Sequence, residues 1–461
     1  MKKAVFILLI ILITLPIYGQ DIAGEWNGVL KVQGIQLRLV FHITNEEKGY
    51  SSTMDSPDQG AKGIHVTSTR YENSILIMEI STLGVHYKGT LDDQNIFIGI
   101  FKQAGQSFPL NLSKEKVIKP QEPTEPYSYH SENIKFENMQ DKIVLAGTLT
   151  LPQKNGNFPV VILISGSGPQ NRNEEVFGHK PFLVLADHLT KKGIAVLRFD
   201  DRGTAESTGN FKTATSLDFT GDVESAIRYL QTRKEINKNQ IGLIGHSEGG
   251  IIAPIIASKS KDINFIVLLA GPGIRGDKLL LIQQELIGKA SGISDADLQK
   301  AKVINKGAFD IVLKSNNTEM LETELTSYIQ QAIIDNPESG KPTGISEDDY
   351  VKLQVSQLIN PWMRYFIKYD PAPILEKIKC PVLAINGEKD LQVPSKVNLE
   401  AIEKALKKGG NTKVTIKELA NLNHLFQECE TGSPSEYAAI EQTFSPIALA
   451  KISNWILKQV K

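Results

Sequence analysis

The chain has 461 residues, 41% of them hydrophobic and 7% aromatic, which is ample for a large core and too many for one small module. Its 51 basic and 52 acidic residues nearly cancel, and no run of lysine and arginine is long enough to follow a phosphate backbone, so nucleic acid is not an expected partner. Two cysteines, Cys380 and Cys429, cannot build a disulfide framework and have no metal-ligand spacing to nearby residues; a single bridge between them stays open.

The chain begins with Lys2 and Lys3, followed by an apolar run from Ala4 to Pro16 broken only by Thr14. This reads as a signal peptide over residues 1–20, with cleavage near Gly19 or Gln20. The run is shorter than the roughly 20 apolar residues that span a bilayer, so no stable anchor is expected after cleavage. Export to the periplasm or the exterior is the implied destination.

Residues 21–112 have period two. Ile35, Leu37, Leu39, Phe41 and Ile43 alternate with mostly polar neighbours, and further short runs at 74–80, 85–91, 96–101 and 108–112 follow without a helical stretch between them. The expectation is a small antiparallel all-β domain of open function. Residues 113–130, with their prolines, serines and tyrosines, read as a linker or extended crossing segment. A leading hairpin at 133–137 and 143–151 then opens a different pattern. A wholly apolar strand at 160–164 and further largely apolar strands at 194–199, 240–244 and 265–269 alternate with helices at about 180–192, 217–231 and 248–258. That alternation predicts an α/β fold, a mostly parallel sheet with helices on both faces, whose first part covers 131–271. Residues 272–370 are rich in helix formers and read as a helical cap insertion over the carboxyl ends of the strands. The second part of the core, 371–461, supplies strands at 382–385 and 414–418 and a final helix at about 446–458.

The most informative segment is Gly245-His246-Ser247-Glu248-Gly249-Gly250, a G-x-S-x-G set between an apolar strand and a helix of small residues. A tight strand-to-helix turn needs glycines for close approach and exposes the serine hydroxyl, while the helix amino end places partial positive charge beside a developing oxyanion. In this context Ser247 is the candidate nucleophile.

Together with Ser165-Gly166-Ser167-Gly168-Pro169, Phe199-Asp200-Asp201-Arg202-Gly203, Asn386-Gly387-Glu388-Lys389-Asp390 and Asn423-His424-Leu425-Phe426, this segment resembles the α/β-hydrolase superfamily. More narrowly it is similar to the exported bacterial branch of serine aminopeptidase or S33-like esterases. The resemblance covers about residues 135–460 and carries the chain order Ser, Asp, His. One departure is Ala205, where related enzymes commonly continue as G-x-G-x-S after the Asp-Arg-Gly segment.

A serine hydroxyl needs a base to take its proton. Of the eight histidines, His424 lies in the loop beyond the last expected strand, whereas His188 belongs to a helix face and His246 to the space beneath the turn. The acid that orients the base is Asp390, as the resemblance implies, with Glu388 as the competitor. The oxyanion hole needs two backbone N–H groups. One is that of Glu248; the resemblance draws the other from Ser167 or Gly168. Arg202 is expected to tie loops together, and Arg172 is either a substrate contact or a solvated loop residue. Trp362, Tyr365 and Phe366 either line the acyl pocket or form an apolar seam fixing the insertion to the sheet.

The function expected from these residues is a serine hydrolase, a carboxylesterase acting on small or medium acyl esters through an acyl-enzyme, with no metal and no organic cofactor. A serine aminopeptidase or short-peptide hydrolase is one alternative, and would need a carboxylate for the substrate amine, for which the insertion offers Glu319, Glu322 and Glu324. A non-catalytic binding module is the other. A homodimer through an exposed strand edge is conceivable, though no residue demands it.

Overall fold

The computed structural model describes residues 21–32, 35–47, 49–59, 61–115, 119–315, 317–336 and 346–461. The expected signal peptide lies outside the described residues, as do 116–118 of the expected linker and 316 and 337–345 of the expected insertion. Among the described residues no helix is long and apolar enough to cross a membrane. The chain divides into two compact units, Met1–Val117 and Ile118–Lys461.

The first unit is an antiparallel sheet of nine strands: β1 (Gly24–Val32), β2 (Ile35–Glu46), β3 (Gly49–Ser56), β4 (Ala61–His65), β5 (Ser68–Glu72), β6 (Ile75–Ile80), β7 (Val85–Leu91), β8 (Phe97–Gln103) and β9 (Gln106–Pro109). They run in the order β1-β2-β3-β5-β6-β7-β8-β9, with β4 pairing beside β3. Backbone bonds between Asn27 and Ser113 at 2.7 and 2.9 Å, and between Phe97 and Leu112 at 2.8 and 2.9 Å, bring the segment after β9 back to the start and leave the sheet nearly a barrel. Alternation is the cause of its core: Leu39, Phe41 and Ile43 of β2 point inward with Trp26, Met78, Tyr87 and Phe97.

The second unit is built on an eight-stranded sheet. Its elements are β10 (His130–Asn138), β11 (Ile143–Leu151), β12 (Phe158–Ile164), α1 (Pro181–Lys191), β13 (Ala195–Phe199), α2 (Ser216–Thr232), β14 (Ile236–His246), α3 (Gly249–Ala257) and β15 (Ile263–Leu269). Five helices follow: α4 (Gly276–Ala290), α5 (Asp295–Lys314), α6 (Thr318–Asp335), α7 (Glu347–Ile359) and α8 (Pro361–Lys368). The short α9 (Ala372–Leu375) then leads to β16 (Val382–Gly387), α10 (Ser395–Lys408), β17 (Val414–Leu419) and α11 (Pro446–Gln459).

The strand order is β10-β11-β13-β12-β14-β15-β16-β17. The sheet is mixed: β10 to β11 and β11 to β13 are antiparallel, and the five pairings from β13 to β17 are parallel. The leading hairpin, whose tight return allows only antiparallel pairing, accounts for the β10–β11 pair. Both faces are covered. In β14, Leu243 packs into a core with Ala226 of α2, Ile252 of α3 and Ile402 of α10, while its neighbour Ile244 packs into another with Leu185 of α1 and Ile452 of α11. Burial on both sides explains why these strands read as unbroken apolar runs. Helices α5 to α7 share a separate core that includes Phe309, Val312, Leu325, Val351 and Val355.

Two details settle local points of the chain's course. The segment after residue 118 is docked: the Gln121 side chain accepts from the backbone N–H groups of Thr443 and Phe444 at 2.6 and 2.9 Å and donates to the Phe444 carbonyl at 2.8 Å. Cys380 and Cys429 are both free, and burial pushes each thiol up to about 11, so the bridge left open above is not formed.

Candidate active site

Strand β14 ends at His246, and the chain turns at once into α3. Ser247 occupies the turn with φ 49°, a left-handed conformation that a non-glycine residue adopts only when its surroundings hold it there. Its N–H donates to the Leu269 carbonyl at 2.9 Å, anchoring the turn to the neighbouring strand. The flanking glycines are steric necessities. A Cβ on Gly245 would stand 2.0 Å from the Gly249 carbonyl oxygen, and one on Gly249 would stand 2.2 Å from that of Ile164.

The loop after β17 carries His424, which is buried and hydrogen-bonded through Nδ1 to Asp390 Oδ2 at 2.8 Å. The loop is braced by Asn423, whose side-chain oxygen accepts from the N–H groups of Leu425 and Gln427 at 3.0 and 2.9 Å. Asp390 is also buried, and its other oxygen accepts from the N–H groups of Gln392 and Val393, both at 2.8 Å. Glu388, the competing acid, is exposed and accepts instead from the Asn421 N–H at 3.1 Å.

Ser247 and His424 line one cavity of about 330 Å³ together with Gly166 and Ser167 of the turn after β12. Its apolar wall comes from Leu279 and Leu280 of α4, Trp362, Met363 and Phe366 of α8, and Val393, Leu425 and Tyr437 of the loops. Among the described residues, no protein acceptor engages the backbone N–H groups of Glu248, Ser167 or Gly168, whereas that of Gly166 is taken by Glu174 at 2.7 Å. The Glu248 carboxylate faces away from this role. It is buried and accepts from Ser216 Oγ at 2.6 Å and from the Trp362 indole N–H at 2.7 Å, and burial raises its pKa against the lowering effect of these bonds and one from Ser167.

The expected pocket residues separate. Trp362 and Phe366 lie along the cavity, their rings stacked at 5.1 Å; Tyr365 on the same helix is not among its lining residues. Arg172 is neither a solvated residue nor a lining one. Its guanidinium is held by Asp200 at 2.6 Å and Glu206 at 2.5 Å and donates to the Gly147 carbonyl at 3.2 Å, because a buried carboxylate at the end of β13 needs a cation beside it. Arg202 joins the β10–β11 turn to α2 through Asp141 and Asp222, both at 2.7 Å. Ala205 takes φ 47°, a region where glycine is at ease, which gives the departure from the G-x-G-x-S pattern a local backbone meaning.

Two buried residues escaped the sequence reading as a pair. His246 Nδ1 lies 2.8 Å from Glu174 Oε1, and its Nε2 lies 3.0 Å from the His424 carbonyl oxygen. Only the position of His246 beneath the turn was legible; no spacing rule connects it to a residue 72 positions earlier.

Residues 223–338, about a quarter of the chain, match the family described as BAAT / Acyl-CoA thioester hydrolase C terminal. Esterase EstD of Thermotoga maritima is 27% identical over 323 residues, covering 68% of this chain and 66% of that protein. The mitochondrial acyl-coenzyme A thioesterase 2 of Rattus norvegicus is 27% identical over 167 residues, covering 36% of this chain and 32% of that one. By name these two relatives are an esterase and an acyl-coenzyme A thioesterase. The chain spans just under two thirds of the esterase and about a third of the thioesterase. Similar solved structures include hypothetical protein PA2218 from Pseudomonas aeruginosa, with TM-score 0.46 and 16% identity over 75% of this chain and 98% of that chain. A Pyrococcus furiosus esterase has TM-score 0.43 and 16% identity over the same shares.

Proposed function

We propose that the protein is a serine hydrolase of carboxylic esters, with Ser247 as nucleophile, His424 as base and Asp390 as the acid that orients it. The observation that carries this reading is the buried Asp390–His424 hydrogen bond of 2.8 Å, placed on the cavity that also holds Ser247. In the proposed reaction Ser247 Oγ attacks the acyl carbonyl as His424 Nε2 takes its proton. The backbone N–H groups of Glu248 and of Ser167 or Gly168 receive the oxyanion. His424 then protonates the leaving alcohol and activates water to free the acyl group.

A cavity of about 330 Å³ lies at the small end of the range of roughly 300–1,000 Å³ for small-molecule sites, which favours small or medium acyl groups. Helices α4 and α8 act in this reading as a cap that shapes the acyl side. Ester is favoured over peptide by the acids. Glu319, Glu322 and Glu324 are exposed and outside the lining, and the carboxylate that does line the cavity, Glu174, is already engaged by Gly166 and His246. Thioesters form a second reading, favoured by the match of residues 223–338. Export belongs to the same proposal and rests on Lys2, Lys3 and the apolar run after them.

The test is a fluorophosphonate probe followed by a substrate panel. Wild-type protein is expected to be labelled at Ser247 and Ser247→Ala to remain unlabelled; a folded wild type that takes no label would sink the enzyme reading. Short-chain acyl esters, acyl thioesters and aminoacyl anilides, compared by kcat/KM, then sort the bond. Preferential cleavage of anilides would reverse the ester assignment.

A further inference from the structure

We infer that Glu174 and His246 form a buried carboxylate–imidazolium pair that positions the three loops meeting at Ser247, and that the proton between them resides on His246. This rests on the serine-hydrolase reading and adds two positioning residues to it.

The protonation follows from the partners. His246 Nε2 faces the His424 carbonyl oxygen at 3.0 Å, and a carbonyl only accepts, so Nε2 carries a hydrogen. His246 Nδ1 faces Glu174 Oε1 at 2.8 Å, and the same oxygen takes the Gly166 N–H at 2.7 Å. An oxygen approached by an amide donor and by the ring is best satisfied as a carboxylate accepting from both, so Nδ1 carries a hydrogen as well. The ring is then a cation.

Side-chain exposures of 8% for His246 and 3% for Glu174 leave each charge with the other as its neutralising partner. Burial opposes the imidazolium. The charge of Glu174, its hydrogen bond to the ring, the His424 carbonyl and the charge of Asp390 act the other way, and the net pKa of His246 is raised. The other titratable groups around the pair are the His424 ring, with its centroid 4.8 Å from that of His246, and Asp201 near Glu174.

The positioning role follows from what the pair holds. Glu174 Oε1 fixes the turn at Gly166, which leads directly to Ser167 and Gly168. His246 is the residue before Ser247, and its Nε2 fixes the backbone of the loop that carries His424. One oxygen therefore sets the oxyanion-side turn and, through one ring, the height of the base over the nucleophile. Among the described residues Glu174 Oε2 is buried with no hydrogen-bond partner, so this coupling passes through Oε1. Glu174 is itself held at φ 51°, a conformation that a non-glycine residue keeps only under restraint. The space is also tight: a Cβ on Gly166 would lie 3.2 Å from Ser247 Cβ and 3.3 Å from Glu174 Oε1.

Two measurements test the pair. In wild-type protein with ring-¹⁵N-labelled histidine, one ring is expected to stay protonated at both nitrogens at pH 8, above the ordinary imidazole range near 6.5. No such ring at pH 8 would overturn the protonation, and this readout needs no variant to fold. Glu174→Gln keeps the size of the side chain and an oxygen for Gly166 but removes the charge. Its kcat is expected to fall on the order of 10- to 100-fold with KM little changed, as small misplacements of reacting groups do. A kcat equal to wild type, or a change carried by KM alone, would overturn the positioning role. Fluorophosphonate labelling of the wild type separates the two readings: without label at Ser247 the hydrolase reading itself fails, whereas a labelled wild type with an unimpaired Glu174→Gln fails this inference only.

Discussion

Asp390→Asn gives the sharpest test of the machinery, because the surroundings dictate how the new side chain must sit. One carboxylate oxygen accepts from the backbone N–H groups of Gln392 and Val393 at 2.8 Å each, and an amide NH₂ cannot replace it there. The asparagine oxygen therefore keeps that place and the NH₂ turns toward His424 Nδ1, where the carboxylate now accepts at 2.8 Å. A donor facing Nδ1 forces the imidazole into the tautomer with its hydrogen on Nε2, the nitrogen that must accept the serine proton. Wrong-tautomer substitution of this kind in a Ser-His-Asp triad lowers kcat about 10⁴-fold, equivalent to about 5.4 kcal/mol of barrier. The fold should tolerate the change, since both backbone bonds survive. The assay is kcat/KM on a short-chain p-nitrophenyl ester, with thermal unfolding alongside and Glu388→Gln as the control on the same loop. Retention of activity within tenfold of wild type, or an equal loss in Glu388→Gln, would refute the assignment of Asp390.

Gly249→Ala places a Cβ 2.2 Å from the Ile164 carbonyl oxygen, and backbone cannot yield as a side chain does; a loss of about 3 kcal/mol or more in urea unfolding is expected, with little soluble protein as the extreme case. Trp362→Phe keeps the stack on Phe366 but removes the indole donor to the buried Glu248 carboxylate at 2.7 Å. A destabilisation of about 1–3 kcal/mol is expected, with a change in acyl preference larger for KM than for kcat. The raised pKa of His246 sets a pH window. Its contribution to stability should be complete below the ordinary value of 6.5 and be lost as pH rises through the raised folded value, so the advantage of wild type over His246→Gln in urea midpoint should shrink from pH 6 toward pH 9. A constant advantage across that range would contradict it.

The sequence made visible those features that local chemistry enforces. The alternation at Leu39, Phe41 and Ile43 shows a strand with one buried face, and the unbroken run around Ile241–Ile244 shows a strand buried on both, because solvent exposure writes period directly into residue type. Ser247 was legible because the turn tolerates nothing larger than glycine at 245 and 249. What depends on distant partners was not. Helix α10 went unread between β16 and β17, although Leu399, Ile402 and Leu406 bury one of its faces. The fate of Arg172 is decided by Asp200 and Glu206, and that of Gln121 by the backbone at 443–444, which no window of neighbouring residues contains. The same holds for Glu174 and His246. Their link exists only once β12 and β14 lie side by side.

The five helices α4 to α8 leave the sheet after β15 and return at β16, yet those two strands pair directly, from Ile266 with Val382 to Leu269 with Ile385. Because the pair is parallel, the excursion leaves at the carboxyl end of β15 and re-enters at the amino end of β16, and the ladder between them is closed whatever lies in between. The excursion's length and content can change without shifting the register that holds the turn at Ser247 beside the loop at Asp390. Such an arrangement lets the cavity wall from α4 and α8 diverge while Ser247, Asp390 and His424 stay fixed. It also makes exchange of the whole segment between related proteins, joined at those two strands, a practical route to new substrate preference.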